Sequence, residues 1–237
     1  MKINLKKRPK GVSLITGFPG VGLVGTIVTK FLIDKLDVEK IGNIHSHSLA
    51  PVVAIHKNQI IEPMGIFYNK KHNLVILQAL TGVNGMEWEI SHVVSKLAKE
   101  VGAKEIINIE SMLGNNNNKI SSYYYSTNDK RKKDFESLNI SELKDGIIVG
   151  VGGALMLENK FPLSVIVSQA HYNLPDSESA AEVVKVLDKL LEINIDIKPL
   201  LVAAKKFESQ LKGMMDQTHK MSAQEKKEVK QQLDYLG

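Results

Sequence analysis

The stretch Gly17-Phe18-Pro19-Gly20-Val21-Gly22-Leu23-Val24-Gly25 constrains this chain more than any other. A short apolar run precedes it (Val12, Leu14, Ile15), and a segment apolar almost all the way round follows (Val21, Leu23, Val24, Ile27, Val28, Phe31, Leu32, Leu36). That order predicts a buried strand, a tight glycine turn and a buried helix, the opening unit of an α/β domain. The glycines let the backbone turn sharply and let the helix lie close to the sheet, because no Cβ stands in the way.

Within the stretch, Gly20-Val21-Gly22-Leu23-Val24-Gly25 matches the dinucleotide pattern G-x-G-x-x-G in its required strand–turn–helix setting. A dinucleotide site also needs an acid roughly 20 positions on, at the end of the second strand, for the ribose hydroxyls. The second strand reads Ile41-Gly42-Asn43-Ile44-His45-Ser46-His47 and ends without one. A mononucleotide P-loop fails as well, since Thr26 stands where the phosphate-binding lysine would follow Gly25. Close helix–sheet packing is therefore the favoured use of these glycines. Nucleotide or nucleoside binding at this turn is the alternative.

At 237 residues and 43% apolar content, the chain has enough material for one large domain with a full core. It has no cysteine, which excludes disulfides, thiolate catalysis and cysteine–zinc sites. The start is basic without an apolar signal core, and no stretch approaches the ~20 apolar residues of a membrane span. A soluble, cytoplasmic protein without membrane contact is expected. The net charge of +5 resides in Lys2, Lys6, Lys7, Arg8 and Lys10, and the remainder is neutral on balance. Only Arg8 and Arg131 are arginines, the residue best suited to bidentate phosphate and base contacts. No nucleic-acid partner is expected.

Further along, Pro51 to His56 and Ile60 to Phe67 flank Lys57-Asn58-Gln59 as a hairpin. Leu74-Val75-Ile76-Leu77 reads as a central parallel strand. Asn84 with Glu87 forms a capping box for a helix carrying Ile90, Val93, Val94, Leu97 and Val101 on one face. Strands follow at 106–109, 123–125, 147–151 and 163–167, with a charged helical segment over 129–138. Gly152-Gly153 turns the chain, and Pro175-Asp176 caps a helix to about Leu191. The fold class is α/β, a mostly parallel central sheet with helices on both faces and a hairpin added. Leu200, Ala204, Phe207, Leu211 and Met214 mark a further amphipathic helix. From Met221 the chain is mostly polar, with only Val229, Leu233 and Leu236 as a thin stripe, so it projects or packs on a partner. The division is an α/β domain over 1–215 and a polar helix or tail over 216–237.

Catalytic constellations are thin. His45 and His47 share a strand face but lack a third ligand at metal spacing. Ser168, His171 and Asp176 follow one another in a single loop without a nucleophile elbow. Glu87 and Glu89 flank Trp88 on a helix's first turn, where acids favour the dipole. Glu110 and Ser111 end a central strand, where α/β sites lie, and with Gly20, Gly22 and Gly25 they make a possible ligand pocket. No catalytic residue, metal site or cofactor is assigned.

The glycine turn, the strand 75–80 leading into a loop and helix, and Tyr172-Asn173-Leu174-Pro175-Asp176 followed by Ala180-Ala181 resemble the proteasome assembly chaperone family in its stand-alone archaeal form. The resemblance runs from about Gly11 to Met215. It implies an α/β sandwich similar to nucleoside phosphorylases, and a binding protein rather than an enzyme. Its partners would then be proteasome α subunits or a paralogous assembly chaperone, and a homo-oligomer is expected because a thin apolar stripe like that of the C-terminal helix pairs between subunits. Family members dock through a C-terminal tail ending hydrophobic–tyrosine–any residue, which seats an aromatic ring and a carboxylate between subunits. This chain ends Leu233-Asp234-Tyr235-Leu236-Gly237, with Tyr235 third from the end and Leu236 in the tyrosine's place. The resemblance makes Leu233, Tyr235, Leu236 and Gly237 the partner-binding residues.

Overall fold

Ser13-Leu14-Ile15-Thr16-Gly17 is buried at every position, and in the computed structural model it forms strand β2 (Ser13–Gly17) at the heart of a nine-stranded sheet. The structure describes residues 1–49, 53–56, 59–114, 120–170 and 175–198. The helix expected over 200–214 and the tail with Leu233, Tyr235, Leu236 and Gly237 lie outside the described residues. So do Lys57-Asn58 of the hairpin and His171 to Leu174.

Before β2 runs β1 (Lys2–Leu5); after it come α1 (Val24–Lys35) and β3 (Glu39–His45). A small separate hairpin, β4 (Ala54–His56) with β5 (Gln59–Ile61), leads to β6 (Met64–Asn69) and β7 (Leu74–Ala79). Then follow α2 (Glu87–Glu100), β8 (Glu105–Leu113), β9 (Ser122–Ser126), α3 (Asp129–Ser137) and β10 (Ser141–Glu142). The last described elements are α4 (Val151–Glu158), β11 (Leu163–Ala170) and α5 (Ser177–Leu191). The sheet order is β1-β3-β6-β7-β2-β8-β11-β9-β10.

The central quartet β7-β2-β8-β11 is parallel, as expected for strands covered on both faces. One flank continues antiparallel through β6, β3 and β1, so the antiparallel part is larger than the expected hairpin. On the other flank β9 joins β11 antiparallel, and β10 joins β9 parallel.

Strand alternation divides the apolar side chains between two layers. On one face, Ile15, Ile76, Ile107 and Ile166 pack with Ile27 and Leu32 of α1 and with Val183 and Leu187 of α5. The stacked Tyr124 and Phe135 rings, 4.5 Å apart, join α3 to that layer. On the other face, Leu14, Leu77, Ile106 and Val165 meet Ile90, Val94 and Leu97 of α2 and Leu155 of α4. Each large apolar side chain buried this way contributes roughly 1.5–3 kcal/mol. At the sheet's other end, Arg131 of α3 donates from Nη2 and Nε to the Glu105 carboxylate at 2.6 and 2.7 Å, and Ser13 Oγ donates at 2.6 Å. Burial pushes Glu105 up, but the hydrogen bonds from Arg131 and Ser13 outweigh it and hold the carboxyl below its ordinary value.

Two local expectations are corrected. Residues 147–150 form no strand; α4 begins at Val151, and Gly152-Gly153 belong to its first turn. The β-branched run there has no ladder neighbour, and Ile147 and Val149 are 85% and 80% exposed. Helix α2 starts at Glu87 rather than near Asn84, with Glu87 Oε1 accepting from the Gly85 amide at 3.0 Å. At α5 the expectation holds: Asp176 is the N-cap, and its Oδ1 accepts from the Ser179 amide at 2.9 Å.

Candidate functional site

The glycine turn sits at the carboxyl end of β2, where open α/β sheets place ligands. Its glycines are explained by what they touch. A Cβ on Gly17 would meet the Gly25 carbonyl carbon at 2.7 Å, and one on Gly25 would meet Phe18 N at 2.9 Å. Real Cβ atoms do not approach so closely, so only glycine lets α1 lie on the turn that launches it. Val21–Leu23 form a single 3-10 turn, with the Leu23 amide donating to Gly20 O at 3.0 Å. Gly22 has φ +64°, and its carbonyl accepts from the Asp176 amide at 2.9 Å. A Cβ there would lie 2.9 Å from Asp176 Cβ. The start of α5 is thus seated directly on the turn.

Ser111 completes this contact. Its Oγ donates to Val21 O at 2.5 Å, and a Cβ on Gly20 would stand 3.7 Å from that Oγ. Asp176 is closed off as well, since its Oδ2 accepts from Ser179 Oγ at 2.7 Å. The carbonyls of Gly20, Val21 and Gly22 all accept from protein donors.

Glu110 belongs to a different neighbourhood. Successive strand residues point to opposite faces, so Glu110 and Ser111 diverge across the sheet. Glu110 faces the α2–α4 side, where Oε1 accepts from Asn108 Nδ2 at 2.9 Å, and Asn108 Oδ1 accepts from Thr16 Oγ1 at 2.7 Å. The Gly152 amide, at the start of α4, also donates to the Glu110 carboxylate. Burial pushes the Glu110 carboxyl up to about 7, although hydrogen bonds from the Asn108 side chain and from the backbone amides of Gly152 and Ser111 favour the ionised form. No charged group contributes to that shift.

The structure therefore brings Gly20, Gly22, Gly25 and Ser111 together and places Glu110 on the other face. Thr16, Asn108 and Gly152 are the partners that sequence reasoning did not single out. The signal for Asn108 was its period-two spacing from Glu110 among the isoleucines of β8. The strand in which a dinucleotide site would need its ribose-binding acid, β3, lies beyond β6 and β7 from β2, and it runs antiparallel to β6. The His45 and His47 rings meet edge-on at 5.2 Å, and among the described residues no group of three or more metal-ligating side chains forms.

Residues 14–215 match the sequence profile of the PAC2 family. Over 229 residues the chain is 25% identical to an uncharacterized protein of Methanocaldococcus jannaschii, covering 91% of this chain and 90% of that one. The crystal structure of Pyrococcus furiosus PbaA, described as an archaeal homolog of proteasome-assembly chaperone, superposes with a TM-score of 0.83. It is 29% identical, with 93% of this chain and 100% of that chain covered. Pyrococcus furiosus PbaB, described as an archaeal proteasome activator, shares the fold at a TM-score of 0.73 and 23% identity, over 90% of this chain and 98% of that one.

Proposed function

The chain belongs to the PAC2 family, and on that premise we propose that it is a proteasome assembly chaperone homologue acting by binding rather than catalysis. The observation that carries this reading is the 29% identity with PbaA across 93% of the chain. The α/β body supports it as well, because packing alone explains the glycine turn: the Asp176 amide and Ser111 Oγ donate to its carbonyls, and the start of α5 lies against Gly22. The partners are proteasome α subunits or a paralogous assembly chaperone, engaged by a homo-oligomer. The body, residues 1–215, presents a tail over 216–237 whose anchor is Leu233, Tyr235, Leu236 and Gly237. Arraying several tails on one oligomer multiplies individually weak contacts through effective concentration.

Co-purification of the tagged full chain with proteasome α subunits tests the reading. Retention of α subunits is the expected result. Recovery of the chain without α subunits and without a second assembly chaperone overturns it.

A further inference from the structure

Among the described residues, strand β1 is one of the two outer edges of the sheet, and the edges differ. The far edge, β10, is only two residues long, whereas β1 pairs with β3 over four residues. Very short edges resist further pairing and longer ones template it, while lysines along an edge repel neutral or basic strands but not a strand that brings carboxylates. The Lys6 amide donates to Ile41 O at 2.8 Å, which fixes the phase of the β1–β3 ladder. By antiparallel alternation, the amides and carbonyls of Ile3 and Leu5 point away from β3.

The charge of the edge segment itself is one-sided. Lys2, Lys6, Lys7, Arg8 and Lys10 lie in the first ten residues, with no acid among them. Lys7 pairs with Glu39, and Arg8 reaches Glu100 at 3.6 Å. Among the described residues Lys2 has no ion pair, and Lys6 acts on Glu62 only from beyond contact distance. Beside the strand opens a cleft of about 440 Å³, whose lining includes Asn4, Lys6, Arg8, Lys40, Asn43 and Glu62. Its cations outnumber the single carboxylate, which Lys40 already engages at 3.0 Å.

We propose that β1 is a docking edge for an extended acidic segment of a partner protein, which adds as a tenth strand and turns alternate carboxylates toward Lys2, Lys6 and the cleft. Backbone pairing supplies the register, and alternate side chains supply selectivity. A second copy of this chain is the wrong occupant, because pairing β1 with β1 sets two like-charged segments against each other.

The test uses the full-length protein and a fluorescein-labelled hexapeptide of alternating Glu and Val, read by anisotropy and by amide hydrogen exchange. Saturable binding is expected, weakened at least tenfold between about 0.1 and 1 M salt. Exchange at the Ile3 and Leu5 amides should slow on binding. The double variant Lys2→Glu/Lys6→Glu should lose the peptide while keeping the parent melting temperature. A hexapeptide N-methylated at alternate residues should fail to bind the unaltered protein, which keeps the test decisive if the variant misfolds. The proposal is overturned by absence of saturation, by equal binding of a Lys–Val hexapeptide, or by binding without protection at Ile3 and Leu5. Tighter binding of a single-stranded oligonucleotide than of the peptide also overturns it.

Discussion

The amide of Gly152 donates to the carboxylate of Glu110, and a Cβ on Gly152 would lie 2.7 Å from Glu110 Cδ. One residue thus brings the start of α4 onto the carboxyl end of β8, some 40 residues earlier in the chain. Gly152→Ala must displace either the Glu110 carboxylate or the start of α4, and a loss of about 1–3 kcal/mol is expected by urea denaturation.

Glu110 itself makes stability depend on pH. Its folded-state value of about 7 lies above the ordinary 4.5, so between those values the folded protein holds a proton that the unfolded chain releases. Its contribution is intact below pH 4.5 and is lost progressively as pH rises to about 7, by at most about 3 kcal/mol. Glu110→Gln removes the titration. The variant should melt close to the parent at pH 5 and above it at pH 8, measured by calorimetry in matched buffers.

Glu105 has the opposite sign. Its depressed value means that its stabilisation is present above the ordinary carboxyl range and is lost as pH falls through the folded value. Arg131→Met leaves Glu105 buried among its remaining contacts and should cost about 3–5 kcal/mol at pH 7, read from the denaturant midpoint. Arg131→Lys should recover only part of this, since one ammonium cannot reproduce the two-point contact.

Gly22→Ala strains a left-handed position against Asp176 and should lower stability without altering any nucleotide affinity. Titration calorimetry of the parent with ATP, NAD and nucleosides should give no heat of binding. A dissociation constant near ~10 μM, about −7 kcal/mol, would reverse the packing interpretation of the turn.

Removing residues 235–237 should weaken capture of proteasome α subunits at least tenfold, about 1.4 kcal/mol, with the melting temperature unchanged. Removing Gly237 alone puts Tyr235 second from the end behind Asp234, a sharper test of the anchor. Equal binding by the parent and both truncations would move the contact to the globular body.

Much of this was legible because the signals were local. Leu74 to Leu77 announces a strand covered on both sides, and Pro175-Asp176 announces a cap within three residues of its donor. The 147–151 segment was misleading for the complementary reason. Its β-branched residues fit a strand, but a strand needs a neighbour, and none adjoins it among the described residues. The need for glycine at 152 was equally hidden, since Glu110 imposes it across the sequence. Period-two alternation does separate Glu110 from Ser111, but only once β8 is known to carry a helical layer on each face.

Strand β11 lies between β8 and β9, although both precede it in the chain. Growth on the ribosome delivers β9, α3 and β10 before the strand that connects them to β8 exists. Until residues 163–170 emerge, the nascent chain holds an open β8 edge and a small outlying unit with nowhere to attach. β11 is thus a keystone: only its pairing with β8 on one side and β9 on the other makes the sheet continuous.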